Sequence, residues 1–154
     1  MKEITMDQIV ETIDVDVPVT IAYNQWTQFE TFPGFLPEVE KVIQVDDVTN
    51  AWTVRVAGAT RDFTTVITEQ TPDDRIAWTS TGGDVDHAGV VTFHKLSDTS
   101  TRVAAQIDWL PEGIAEKVGA ALTLPGHAVE HALRKFKEYI ESEGIADGAW
   151  RGSV

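Results

Sequence analysis

RVAAQIDWLPEGIAEKVGAALTLPGHAVEHALRKFKEYIE, residues 102–141, changes its hydrophobic period partway along. Val103, Ala105, Ile107 and Trp109 recur at every second position. Side chains along a strand alternate between two faces, so this segment is a strand with one face inward. After Pro111 the period lengthens to that of a helix. Ile114, Val118, Ala121 and Leu122 make a first apolar patch, and Pro125-Gly126 interrupts it. Val129, Leu133, Phe136 and Ile140 then form an i, i+4, i+7, i+11 stripe. Gly144 supplies a stop, because glycine tolerates the left-handed geometry that ends helices.

Upstream the period of two repeats. QIVETIDVDV (8–17) sets Ile9, Glu11, Ile13, Val15 and Val17 on one face. Pro18 then opens a short helix with Val19, Tyr23 and Trp26 on one side, since proline suits a first helical turn. A proline-bounded piece, TFPGFLP (31–37), follows. Strands are expected at 39–48, 51–58, 62–70, 75–81, 87–96 and 102–110, with turns at Thr49-Asn50, around Gly58 and Arg61-Asp62, and at Thr71-Pro72-Asp73-Asp74. The order is strand, two short helices, six strands and a long C-terminal helix. It predicts an α+β fold whose seven-stranded, curved antiparallel sheet wraps the last helix. One domain is expected over residues 1–154, with its core at about 8–143 and loosely ordered ends unless Trp150 docks.

The last helix spells H-A-V-E-H, His127 to His131, the H-x-x-E-H order of some zinc proteases. At 100° per residue both histidines fall roughly 150–170° from the apolar stripe, beside Arg134, Lys135 and Glu138. That is a solvated face, and a catalytic zinc needs a third ligand and a dry wall. No metal and no other cofactor is expected.

Composition narrows the function. The chain has 25 acids against 12 bases, a formal charge of −13. Such a surface repels phosphate backbones and anionic lipid, which argues against nucleic-acid binding and stable membrane association. Zero cysteines exclude disulfides and thiol chemistry. MKEITMDQIVE carries acids where a secretory leader would be apolar, so a cytoplasmic monomer or homodimer is expected.

A curved sheet and one helix leave concave surface to be filled by side chains or left as a cavity. Trp52, Phe63, Trp78, Phe93 and Trp109 occupy apolar-face positions, with Gly89, Ala105 and Ala121 interleaved. Flat walls beside small residues favour a hollow. The candidate lining is Phe35, Trp52, Phe63, Trp78, Phe93, Trp109, Val118, Ala121 and Leu122. His87 opens a strand after a Gly-Gly loop, where it serves either as a solvated turn residue or as a polar anchor near the rim. Tyr23 and Tyr139 can reach inward from helices, and Thr65 and Ser80 put hydroxyls on apolar faces. No Ser-His-Asp arrangement and no glycine-rich phosphate loop is present.

Four stretches carry a family resemblance: VDVPVTIAYNQWTQFETFPGFLPEVEKV, TEQTPDDRIAWTSTGG, HAGVVTFHKLSDTSTRVAAQIDW and LRKFKEYIE. Together they resemble the SRPBCC superfamily, also called START-like or helix-grip, most closely its polyketide cyclase/dehydrase and coenzyme Q-binding type. The resemblance implies a hydrophobic cavity between sheet and C-terminal helix. Members carry lipids, sterols, hormones or quinones, or cyclise poly-β-ketone chains. The cyclising members are similar in using an arginine near the end of the strand at 62–70 and a tyrosine after the proline-bounded loop. Here that strand ends Thr68-Glu69-Gln70, no Lys or Arg occurs from 62 to 74, and the tyrosine position falls near Val39. The expectation is therefore a cofactor-free binder of a polyketide-, lipid- or quinone-like molecule. The alternative is a cyclase or dehydratase using His87 or Tyr23 as acid/base.

Overall fold

The computed structural model describes residues 7–56, 58–83, 87–109 and 126–154. Seven strands form one antiparallel sheet in the order β1-β7-β6-β5-β4-β3-β2. They are β1 (Asp7–Val15), β2 (Val39–Gln44), β3 (Thr49–Val56), β4 (Ala59–Thr71), β5 (Arg75–Gly83), β6 (His87–Ser97) and β7 (Ser100–Trp109). Every neighbour from β2 to β7 is joined to the next in chain order, so the sheet is a meander that β1 closes by pairing with β7. Helix α1 (Val19–Trp26) and a 3-10 turn (Phe29–Gly34) cross from β1 to β2, and α2 (Gly126–Glu143) is the C-terminal helix.

Pro18 precedes α1 in an extended conformation, and its carbonyl accepts the N–H groups of Ile21 and Ala22. The α2 stripe packs as its period requires: Val129, Leu133, Phe136 and Ile140 are all buried. Phe136 meets Trp26 edge-on at 4.7 Å between ring centres, and Trp26 continues to Phe32 and Phe93. The polar edge of α2 is tied to β1. Lys137 Nζ donates to the Asp14 carbonyl at 2.8 Å, and the Glu141 carboxylate accepts the Asp16 N–H at 2.8 Å. Among the described residues no helix is long and apolar enough to cross a membrane.

The turn expected at Thr49-Asn50 falls earlier, since both residues already pair in β3, and β5 runs on through Gly82 and Gly83. Two further expectations change. The first concerns β4, which begins at Ala59 rather than at residue 62. Gly58, at φ +80°, takes the left-handed turn alone, and Val56 already pairs with Ala59. Arg61 and Asp62 are therefore strand residues, not turn residues.

The second concerns the tail, which is held in place rather than loose. Gly144 (φ +72°) ends α2 with its N–H on the Ile140 carbonyl at 2.8 Å. Asp147 then exchanges bonds with the buried Gln25, giving its N–H to Oε1 at 2.7 Å and accepting from Nε2 at 3.1 Å. Tyr139 donates its hydroxyl to the same carboxylate. The Trp150 N–H reaches Thr27 Oγ1 at 3.1 Å. Val154 and Gln70 exchange backbone hydrogen bonds at 3.1 and 3.2 Å, as one more rung beside β4.

Candidate functional site

Register decides which side chains share the inward face. Directly opposed residues of antiparallel strands point the same way. Trp52 opposes Phe63, Ser80 opposes Thr65, and Trp78 opposes Gly89. The result is an aromatic ladder across four strands. The Phe29 and Phe32 rings meet Trp52 at 6.2 and 5.8 Å. Trp52 stacks on Phe63 at 6.2 Å and 14°, and Phe63 meets His87 edge-on at 5.1 Å. Trp52, Phe63 and Trp78 are only half-buried.

The ladder is pinned by hydrogen bonds rather than by packing alone. Trp52 Nε1 donates to Thr65 Oγ1 at 2.9 Å. Trp78 Nε1 donates to His87 Nε2 at 3.1 Å. An imidazole nitrogen that accepts a hydrogen bond carries no proton, so this contact selects the His87 tautomer protonated at Nδ1. The His87 N–H donates to Ser80 Oγ at 3.0 Å. Gly89 completes the arrangement: a Cβ there would lie 2.4 Å from the Trp78 ring. The indole lies close against that glycine.

His87 is thus not a solvated turn residue. It is 5% exposed and enclosed by Phe63, Trp78 and Ser80. Gly82 and Gly83, expected as a loop, are strand residues of β5, and His87 itself pairs with Trp109 in the sheet.

The other candidates lie as follows. Phe35 is buried and stacks on Tyr139 at 4.7 Å. Phe93 is buried, with Tyr23 edge-on at 5.4 Å. Both are packed within the core. The backbone of Trp109 ends β7, but its side chain lies outside the described residues, as do Val118, Ala121 and Leu122. Tyr23 is fully buried. Burial raises the pKa of its phenol; the neighbouring Gln70 amide and the Arg151 charge oppose this, while Asp73 adds to it. Tyr23 and His87 do not form one acid–base pair: Phe93, which Tyr23 touches, is six residues along β6 from His87, roughly 20 Å.

At the far end of β4, Thr68 and Glu69 are exposed, while Gln70 is buried beside Tyr23. A neutral amide there cannot stabilise developing negative charge as a guanidinium would. Arg151 from the tail lies over the outer side of this region, 5.6 Å from the Tyr23 ring centre and 2.9 Å from the Asp73 carboxylate. Along α2, Glu130 of the H-x-x-E-H stretch is ion-paired with Arg134. His131 is half-buried, and the His127 side chain lies outside the described residues. Among the described residues no three His, Asp or Glu side chains gather as metal ligands.

One inward residue escaped the reading of the sequence. Arg61 opposes Val54 and precedes Phe63 on the same row. Its Nη1 donates to the Thr60 carbonyl at 3.1 Å, and its Nε is enclosed with no hydrogen-bond partner among the described residues. The alternation Ala59, Arg61, Phe63, Thr65, Ile67 was visible once the strand was begun three residues earlier.

Comparison with known proteins fits this geometry. A family model described as polyketide cyclase / dehydrase and lipid transport matches residues 15–125. An uncharacterized 17.2 kDa protein of Streptomyces lincolnensis, from the melC2-rnhH intergenic region, is 47% identical over 149 residues, covering 97% of this chain and 99% of its own. Among solved structures, a START superfamily protein from Mycobacterium smegmatis superposes with a TM-score of 0.74 at 16% identity, over 88% of this chain and 98% of that one. The Zhui aromatase/cyclase from Streptomyces sp. R1128 does so at 0.73 and 16% identity, over 91% and 94%. At those identities the two structures speak for the fold alone.

Proposed function

We propose, from the premise that the chain belongs to the polyketide cyclase / dehydrase and lipid transport family, that it binds a hydrophobic small molecule on the inward face of its sheet. One observation carries this reading. Trp52, Phe63 and Trp78 stand on that face yet are only half-buried, while Thr65 and His87 fix the two indoles. A side chain that only filled a core would be covered, and its hydrogen bonds would not need to aim a half-buried ring. Rings held in advance lose little freedom when a flat apolar guest arrives, so more of the burial energy, about 25 cal/mol per Å², appears as affinity. The ligand class is polyketide-, lipid- or quinone-like, and no cofactor enters the reading.

Native mass spectrometry of freshly purified protein, with organic extraction of what travels with it, tests the proposal. A bound hydrophobic mass, lost in Trp78→Ala, supports it. A protein that takes up no apolar ligand from a panel of polycyclic aromatics and quinones refutes it.

A second reading rests on His87. A neutral imidazole held among aromatics with its proton on Nδ1 can polarise a carbonyl of the guest by donating a hydrogen bond, the electrophile's part in a cyclase or dehydratase. His87→Ala should then abolish turnover at saturating ligand, whereas Trp78→Phe, which breaks the hydrogen bond but keeps His87, should not; unchanged turnover in His87→Ala sinks this reading.

A further inference from the structure

We infer that Arg61 anchors an anionic oxygen of the ligand, a carboxylate or enolate, at the β3–β4 end of the aromatic ladder. The inference rests on the binding reading above and adds the polar chemistry of the guest. Four observations meet at this residue. Arg61 stands on the inward row, between Ala59 and Phe63 and opposite Val54. Phe63, its neighbour on that row, is the rung linking Trp52 to His87. The outward charges of the same hairpin are satisfied: Arg55 pairs with Glu40 at 2.8 Å, and Asp62 accepts the Thr53 hydroxyl at 2.8 Å. Arg61 has no carboxylate partner among the described residues, and its Nε is enclosed without an acceptor.

An enclosed donor without a partner is costly, and few survive in folded proteins without a reason. A guanidinium is charged at all accessible pH and presents its N–H groups as a planar fork. The fork suits two oxygens of a carboxylate or the oxygen of an enolate. With Nη1 bonded to Thr60, the Nε and Nη2 edge of the guanidinium is the side of the fork left to meet the guest. The formal charge of −13 gives an anion no help on approach. Recognition therefore has to come from the local fork once the apolar body is seated.

Equilibrium dialysis with 2-naphthoate and its neutral counterpart 2-naphthamide tests this at neutral pH. Arg61→Leu should weaken 2-naphthoate about ten- to hundredfold, the worth of a charge-assisted hydrogen bond, and change 2-naphthamide about threefold or less. Arg61→Lys, which keeps the charge but not the fork, should fall between. Equal losses for both probes in Arg61→Leu, or no binding of 2-naphthoate to a wild-type protein that binds 2-naphthamide, would overturn the role of Arg61 and leave the hydrophobic site standing. No binding of either probe to the wild type would overturn both. A melting curve of each variant separates misfolding from lost recognition. Arg61→Leu should melt no lower than wild type, because the enclosed donor is gone, and a melting temperature lowered along with equal probe losses in Leu and Lys variants would assign Arg61 to the fold instead.

Discussion

Trp78 owes its position to what is missing beneath it. With no side chain at Gly89, the indole lies against the neighbouring strand and its N–H meets His87. Gly89→Ala puts a methyl 2.4 Å from that ring, so the ring must lift. The expected result is a loss of about 1–3 kcal/mol in a urea melt, together with weaker uptake of an aromatic probe. An unchanged melt and unchanged uptake would show that the close approach matters to neither. Trp78→Phe keeps the ring but removes the donor. It should cost about 1 kcal/mol, and it frees the His87 tautomer, which nitrogen-15 shifts of the imidazole would report. The glycine's role was half legible in the sequence, where Gly89 alternates with Val91 and Phe93. That the indole covers it depends on the β5–β6 register, which no local signal encodes.

At the scale of elements, α2 and the tail behave differently. The helix obeys its own stripe, and Phe136→Ala, in the fully buried position against Trp26, should cost about 3–5 kcal/mol. The tail is held by polar contacts to α1, β4 and the β4–β5 turn. Asp147 is its hub, and the Tyr139 phenol that donates to it is pushed up to about 12. The hydrogen bond to Asp147 is the main cause, with burial and the negative charge of Asp147 next. The phenol is therefore harder to ionise in the folded state. Its contribution is complete below pH 10, the ordinary tyrosine value, and is lost as pH rises from 10 towards about 12. Tyr139→Phe should remove that part of the alkaline decline in a melt series between those values. An identical alkaline limb in the variant would place the loss elsewhere.

The whole chain carries −13, and the ion pairs among the described residues are mostly exposed. Salt should raise the melting temperature modestly up to about 0.15 M, as screening relieves self-repulsion faster than it weakens exposed pairs. A melting temperature that falls with salt would mean that attraction within the exposed pairs outweighs the self-repulsion. Acid acts in the opposite sense. The Asp14 carboxyl is held below its ordinary value, first by its hydrogen bond from Arg102 and then by that charge, opposed by desolvation. Asp46 is lowered by the N–H groups of the turn it caps, at Val48 and Thr49. For Glu141 desolvation pushes upward, but the hydrogen bonds from Lys137 and Asp16 and the Lys137 charge together prevail and lower it. Groups with lowered folded values stabilise above their unfolded values and lose that contribution as pH falls through the folded ones. Acid unfolding should therefore set in below about pH 4, and Asp14→Asn should flatten that limb.

By itself the sequence determined the order of elements, the antiparallel class of the sheet and the buried stripe of the last helix. Each of these rests on a period of two or 3.6 and on proline and glycine punctuation, which are local properties. Only the tertiary structure decided that His87 is buried, that Arg61 faces inward and that the tail is tied to the end of α1. The second turns on where β4 starts, and a shift of a few residues there changes what is strand and what is turn; the first turns on the pairing that sets Phe63, Trp78 and Ser80 around His87. The third depends on partners more than a hundred residues away, Gln25 for Asp147 and Thr27 for Trp150. Polar side chains and backbone groups form such ties without any periodic signature, so only the closing of the sheet brings them into register.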